Sequence, residues 1–166
     1  MNVDDDILLL YLTSHGSNHL LSVYFPELAL DNLPDRELKK LLNRAGIKWR
    51  IIVISACYSG GFIDTLKDDY SLIIAAAKDK ASFGCSNEND FTYFGDAFIN
   101  KALRQDRSFV SAFYRARDLI AEREKAENLV PSEPQIYIGE SMKAKLAALE
   151  QRLAKLPSVA AADAPK

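Results

Sequence analysis

Residues 50–61 have the sequence RIIVISACYSGG, a short apolar run that ends in small residues around a cysteine. Residues 51–54 are apolar and β-branched throughout, which is typical of a strand buried on both faces of a sheet. Cys57 follows this strand, and the apolar residues 62–66 predict a helix after it. Ligands of open α/β sheets bind beyond the carboxyl ends of the strands, where this thiol would lie. The amino terminus of the next helix would favour a thiolate, so the stretch predicts either a reactive cysteine or a buried structural one.

A second stretch has the same design. Residues 6–17, DILLLYLTSHGS, place an apolar strand before small polar residues and the pair His15-Gly16. A helical crossover over residues 17–48 would make the two strands parallel neighbours, with His15 and Cys57 at one edge. Imidazole can take a proton from a thiol near neutral pH and return it to a leaving group. Gly16 permits a sharp turn and offers an N–H to a developing oxyanion.

His19 is the alternative base, because the chain has two histidines. It lies in residues 19–25, HLLSVYF, which predict the start of a small hairpin near the site. No glycine follows it, and it lies beyond the turn, so the pattern favours His15.

Several motifs resemble those of a known family. The segments TSHGS (13–17) and SACYSG (55–60) resemble the His-Gly and Ala-Cys-x-Ser-Gly motifs of legumain-type cysteine peptidases, relatives of the caspases. The segments ASFGC (81–85) and TYFGD (92–96) resemble the part of those enzymes that builds the primary specificity pocket. The resemblance extends from Asp5 to Gly139 and implies a caspase-like fold: a three-layer α-β-α sandwich with a mainly parallel sheet.

The resemblance implies roles for six residues. His15, Cys57 and Gly16 would be catalytic, and the substrate-binding residues would be Ser55, Ser82 and Asp96. Asp96 would lie at the bottom of the specificity pocket with Ser82 on its wall, which predicts a preference for a polar or basic side chain before the scissile bond. The legumain branch has an acidic residue where this chain has Ser55, so a preference for asparagine is not implied. Family members also have a strand and a helix before this first strand, so we expect this chain to be the core of a larger protein or a shortened variant.

Composition restricts the other classes of function. The net charge of −2 indicates no nucleic-acid partner, and no apolar run is long enough for a membrane span or signal peptide, so we expect a soluble and, by default, cytoplasmic protein. The sequence has no metal-ligand spacing and no phosphate-loop or dinucleotide fingerprint, so no metal or cofactor is expected. Its two cysteines do not form a disulfide framework. A bond between Cys57 and Cys85 is conceivable and would abolish a thiolate mechanism.

The pattern predicts one domain over residues 1–156 and a disordered Ala/Pro-rich tail over residues 157–166. We expect adjacent parallel strands at Ile7, Ile51 and Leu72. Predicted helix caps are Asp90 and Ser108, and the last strand is predicted at residues 135–138. Residues 141–156 have leucines at helical spacing and would dock on the domain or pair with a partner helix.

The favoured function is a cysteine-type endopeptidase that acts on a peptide or protein substrate through a Cys57 thiolate, His15 and an acyl-enzyme. A transamidase would use the same thioester with an amine in place of water. A non-catalytic interaction domain of the same fold is the third possibility, supported by the strand that precedes the core in family members and by the leucine-rich helix.

Overall fold

The structure is a computed structural model that describes residues 2–85 and 89–156. The tail predicted over residues 157–166 lies outside the described residues. The strands are β1 (Ile7–Thr13), β2 (Gly16–Ser17), β3 (Leu20–Leu21), β4 (Leu33–Pro34), β5 (Trp49–Ser55), β6 (Ser71–Ala75) and β7 (Gln135–Ile138). The helices are α1 (Asp35–Arg44), α2 (Gly61–Leu66), α3 (Tyr93–Gly95), a π-helical segment (Asp96–Ala102), α4 (Leu103–Gln105), α5 (Phe109–Ala126) and α6 (Glu140–Ala154).

A four-stranded sheet in the order β1-β5-β6-β7 forms the centre of the fold. Strands β1, β5 and β6 are parallel, and β7 is antiparallel to β6. Helix α1 lies in the crossover between β1 and β5, as a parallel connection requires. The predicted adjacency of the strands at Ile7, Ile51 and Leu72 is therefore confirmed.

Helices cover both faces of this sheet. Ile51 and Val53 of β5 face one core with the helices that follow residue 92, whereas Ile52 and Ile54 face a second core with α1 and α2. All of residues 50–55 are buried, which explains why β5 is apolar without alternation. The predicted three-layer α-β-α sandwich with a mainly parallel sheet is confirmed.

The helical segment from residue 93 to residue 105 begins at a different cap from the predicted Asp90. The Thr92 hydroxyl accepts a hydrogen bond from the Gly95 N–H at 2.9 Å, so Thr92 and not Asp90 is the cap. The inner face of this segment consists of four buried residues: Phe94, Ala97, Phe98 and Ala102. The Ser108 cap of α5 is also confirmed, because its hydroxyl accepts a hydrogen bond from the Ser111 N–H at 3.2 Å.

A small antiparallel sheet, β2-β3-β4, follows the carboxyl end of β1. Its tight turn is formed by Asn18 and His19, and His19 has a left-handed φ of 59°. Only Leu20–Leu21 of the strand-like stretch over residues 19–25 is paired as a strand. The turn lies against the start of α2, because a Cβ on Gly61 would be 3.1 Å from Asn18 Oδ1.

Helix α6 docks on the domain through its amino-terminal half. Met142 and Leu146 are buried in the core, whereas the later leucines line an open cavity of about 650 Å³ beside β1. These leucines are Leu149, Leu153 and Leu156. Across residues 2–85 and 89–156, no helix combines the length and the apolar character needed to cross a membrane.

Candidate active site

The structure places the loops that carry His15 and Cys57 side by side at one edge of the sheet. Strands β1 and β5 are in register with Thr13 opposite Ser55, and each residue of interest follows its strand by two positions. The Ser14 N–H donates to the Ser55 carbonyl at 3.3 Å, which extends the pairing towards the loops. The two loops therefore leave the sheet side by side, as the sequence analysis predicted from their similar motifs.

Gly16 packs directly against the loop that carries the thiol. A Cβ added to Gly16 would lie 2.5 Å from the Cys57 carbonyl oxygen and 3.0 Å from Ala56 Cβ. The backbone after His15 can approach the Cys57 turn this closely only because residue 16 has no side chain.

Gly16→Ala should therefore reduce both stability and activity. The new methyl group has no space beside the Cys57 carbonyl, so we expect a loss of about 1–3 kcal/mol in the free energy of unfolding. Denaturant unfolding measures this loss, and turnover should also fall per folded molecule because the two loops must separate.

Gly46→Ala is the matched control for Gly16→Ala. A Cβ at Gly46 meets no atom within 4 Å, although its φ of 65° is strained for alanine. We expect a loss of ~1 kcal/mol from that strain and normal turnover. Equal turnover for Gly16→Ala and Gly46→Ala would show that activity does not depend on the close approach of Gly16 to the Cys57 carbonyl.

The backbone of Ser82 holds the Cys57 sulfur. The Ser82 N–H donates to Cys57 Sγ at 3.2 Å, and the thiol lies 3.3 Å from the Ser82 carbonyl oxygen. An N–H that points at sulfur stabilises a thiolate. Ser82 thus contacts the thiol through its main chain, and its predicted place on the wall of the specificity pocket stays a prediction.

The first N–H groups of α2 do not contact the sulfur, contrary to the expectation from the sequence. Gly61, Phe62 and Ile63 donate their N–H groups to the carbonyls of Tyr58, Ser59 and Gly60 at 3.0–3.2 Å. The turn that connects the thiol to this six-residue helix uses these donors.

The turn after Cys57 is fixed to the loop that follows β6. Tyr58 has a left-handed φ of 57°, which is uncommon for a residue with a side chain. Its N–H donates to the Lys80 carbonyl at 2.7 Å, and the Gly60 N–H donates to the Ala77 carbonyl at 2.8 Å. Ser59 is fully buried there. These contacts hold the backbone around the thiol in one strained conformation.

Cys85 lies beside Cys57. Its thiol is 4.0 Å from the Ser82 carbonyl oxygen that also contacts Cys57. Burial, and then the neighbouring Cys57, raise the pKa of the Cys85 thiol above its ordinary value. Both cysteines are free and partly exposed.

Ser55 connects the site to the helical segment after residue 92. Its hydroxyl, buried at the end of β5, is 3.0 Å from the Thr92 hydroxyl. Thr92 also lines an open cavity of about 560 Å³ next to Cys85, together with Tyr11, Thr13, Gly84, Asn89, Asp90, Phe91, Gly95 and Ile99. Thr92 was not among the residues predicted from the sequence, although a threonine before a helical apolar pattern is a capping signal.

Asp96 does not line this cavity. Its carboxylate accepts a hydrogen bond from Asn100 at 2.9 Å and pairs with Lys101 at 2.7 Å, both on its own helical segment. Burial raises the pKa of Asp96, but these two partners outweigh burial and lower the pKa below its ordinary value. Backbone contacts thus link the segments that carry His15, Gly16, Ser55, Cys57 and Ser82, whereas the Asp96 carboxylate contacts Asn100 and Lys101.

A second polar group, which was not predicted from the sequence, connects the turn after Gly16 to helix α2. The Asp35 carboxylate, only 5% exposed, contacts His19 Nδ1 at 2.6 Å and accepts the Thr65 hydroxyl at 2.5 Å. The Arg36 N–H donates to the same carboxylate at 2.6 Å. Asp35 thus joins the turn after Gly16 to helix α2. Burial raises the pKa of Asp35, but the bonds from Thr65, His19 and Arg36 lower it below its ordinary value.

Asp35→Asn should destabilise the protein most at neutral pH. A carboxylate whose pKa is depressed by folding stabilises the native state above its unfolded pKa, and this contribution is lost as pH falls through the folded pKa. We expect a loss of about 2 kcal/mol at pH ~7 that shrinks below pH ~4, measured by urea unfolding at both values.

Glu37→Gln is the control for Asp35→Asn, since Glu37 lies on the same helix in a surface pair with Lys40. It should change stability by less than ~0.5 kcal/mol at either pH. A loss for Asp35→Asn that does not depend on pH would contradict a role for the ionised carboxylate.

No group of three or more histidine, cysteine or acidic side chains within residues 2–85 and 89–156 is arranged to hold a metal ion.

The fold and the site together define a class of protein: an α/β protein of caspase-like architecture with a cysteine and a histidine at the carboxyl edge of adjacent parallel strands. The comparison with protein families agrees, since the model of the Peptidase C13 family matches residues 1–145. The chain belongs to the Peptidase C13 family, the legumain family of cysteine peptidases. A search of curated proteins found no match.

Proposed function

We propose that the chain is a cysteine-type endopeptidase in which Cys57 is the nucleophile and His15 the general base. The observation that carries this proposal is the register of β1 and β5, which brings the loops of both residues to one edge. Membership of the Peptidase C13 family supports the same chemistry in general terms.

In the proposed reaction, His15 takes the proton of Cys57 and the thiolate attacks the carbonyl carbon of the scissile peptide bond. His15 then protonates the departing amine, and a thioester to Cys57 remains. Water, activated by His15, hydrolyses the thioester and restores the thiol.

Two backbone groups are suited to stabilise the oxyanion of this reaction. The Ser22 N–H donates to the His15 carbonyl at 2.9 Å, so the next pair of the hairpin, Gly16 and Leu21, is a non-hydrogen-bonded pair. The Gly16 N–H therefore points away from β3. Among the described residues, the Cys57 N–H has no hydrogen-bond acceptor. We assign these two N–H groups to the oxyanion.

The substrate side chain before the scissile bond would occupy the cavity beside Ser55 and Thr92. Thr92 and Cys85 line this cavity, and the Thr92 hydroxyl is 3.0 Å from the buried Ser55 hydroxyl. The specificity role of Asp96 stays a prediction, since a substrate cation or amide would have to replace Lys101 and Asn100 on this carboxylate.

Cleavage profiling of a peptide library tests that role. We expect peptides with a polar or basic side chain before the scissile bond to be preferred, and Asp96→Ala to reduce this preference about tenfold in kcat/KM. Equal turnover of substrates with aspartate at that position, with no change in Asp96→Ala, would show that Asp96 interacts only within its own helix and does not determine specificity.

The same library, with and without an added acceptor amine, tests the class of reaction. A peptidase releases the acid product whether or not the amine is present. A product joined to the amine, formed only when the amine is added, would indicate a transamidase. No cleavage of any peptide by the folded protein would favour a non-catalytic interaction domain.

A further inference from the structure

We propose that Cys57 and Cys85 form an oxidative modification site at which a peroxide oxidises Cys57 and Cys85 then closes a disulfide. The consequence for activity rests on the proposed function of Cys57, but the chemistry needs only the two thiols. The disulfide would be a reversible state that protects the nucleophile from further oxidation.

The two sulfurs share one neighbour. Cys57 Sγ is 3.3 Å from the Ser82 carbonyl oxygen, and Cys85 Sγ is 4.0 Å from the same oxygen. The segment from Ser82 to Cys85 connects the shared carbonyl to the second thiol, and formation of the disulfide requires this segment to adjust. Gly84, next to Cys85, has a φ of 83°, a conformation that glycine adopts without strain.

The thiols differ in the way that this chemistry requires. Cys57 Sγ accepts the Ser82 N–H at 3.2 Å, a contact that favours the thiolate, and the thiolate is the form that reacts with peroxide. Burial, and then the neighbouring Cys57, raise the pKa of the Cys85 thiol above its ordinary value. The first oxidation therefore falls on Cys57, and Cys85 acts as the resolving thiol.

A peroxide can reach both sulfurs. Each cysteine is partly exposed, and Cys85 lines the open cavity of about 560 Å³. The two residues are far apart in sequence, so the bond joins the nucleophile turn to the loop after β6.

The steps balance. The Cys57 thiol and hydrogen peroxide give a sulfenic acid and one water, so that sulfur is oxidised and peroxide oxygen is reduced. Cys85 sulfur then attacks Cys57 sulfur, the S–O bond breaks, and the hydroxide leaves as water with the Cys85 proton. A dithiol reductant restores both thiols by exchange. Without Cys85, further peroxide converts the sulfenic acid to an irreversible sulfinic acid.

The test treats the full chain, as wild type, Cys85→Ser and Cys57→Ser, with hydrogen peroxide and follows intact mass and tryptic peptides under non-reducing conditions. The intact mass of wild type should fall by the mass of two hydrogen atoms. Its tryptic digest should contain one linked pair of peptides, residues 51–67 joined to residues 81–101. Dithiothreitol should reverse this change. Cys85→Ser should gain oxygen at Cys57, and Cys57→Ser should form no link.

Peptidase activity is the second measurement, scaled to each untreated variant. After dithiothreitol, the recovered fraction should be at least about fivefold larger for wild type than for Cys85→Ser. No linked peptide in wild type, with sulfinic acid on Cys57 at the rate seen in Cys85→Ser, would overturn the proposal. The linked peptide in a protein that cleaves no substrate would leave the disulfide standing and contradict only the proposed function.

Discussion

Cys57→Ala should reduce peptide turnover by at least about 10⁴-fold while the protein stays folded. The thiol is the only atom at this edge of the sheet that we assign to bond formation with the substrate, so no other group replaces it. The side chain is partly exposed and its removal leaves the backbone bonds of the turn intact, so loss of the two Sγ contacts with Ser82 should lower the free energy of unfolding by no more than ~1 kcal/mol. The measurement is kcat/KM on the best library peptide, together with denaturant unfolding.

Cys85→Ser is the matched control for Cys57→Ala, since it removes the neighbouring thiol without touching the nucleophile. Under reducing conditions it should keep turnover within about tenfold of wild type. A large loss of turnover in Cys85→Ser, with normal turnover in Cys57→Ala, would identify Cys85 and not Cys57 as the nucleophile.

His15→Gln should reduce kcat by about 10³-fold, because the thiol then loses its base and the departing amine loses its proton donor. The His15 side chain is exposed, so the substitution removes little packing. Both the acylation and the hydrolysis steps should slow, which single-turnover and steady-state rates would show separately.

His19→Gln distinguishes the two histidines. His19 contacts the buried Asp35 carboxylate, so its loss should lower stability by about 1–3 kcal/mol and keep kcat per folded molecule within about tenfold. A loss of kcat in His19→Gln as large as that expected of His15→Gln would make His19 the base.

The sequence was sufficient to predict the layers of the fold. The strand β5, the capped helix α5 and the last strand β7 were each predicted from their local sequence and are confirmed by the structure. Similar motifs after β1 and β5 also predicted that His15 and Cys57 emerge at one edge, since parallel register follows from the crossover.

The details of the site depend on contacts between residues distant in the chain. Asp90 and Thr92 are both acceptable caps, and Thr92 is the one that lies 3.0 Å from Ser55. Asp35 meets His19 and Thr65 across separations of 16 and 30 residues, which no local pattern reveals.

Helix geometry explains the position of Asp96. The segment Asp96–Ala102 is π-helical, so residues five apart are brought into line and Lys101 lies beside the Asp96 carboxylate. A sequence-based expectation of ordinary α-helical spacing does not predict this pair.

Labelling with a peptidyl electrophile, such as a peptidyl chloromethyl ketone, tests most directly the claim that Cys57 is a nucleophile activated by His15. The account predicts a single adduct that maps to Cys57 and forms at least about 10²-fold faster in the native protein than in His15→Gln. His19→Gln should label at nearly the wild-type rate. An adduct on Cys85, or equal labelling rates at Cys57 in the native protein, in His15→Gln and in urea, would contradict it.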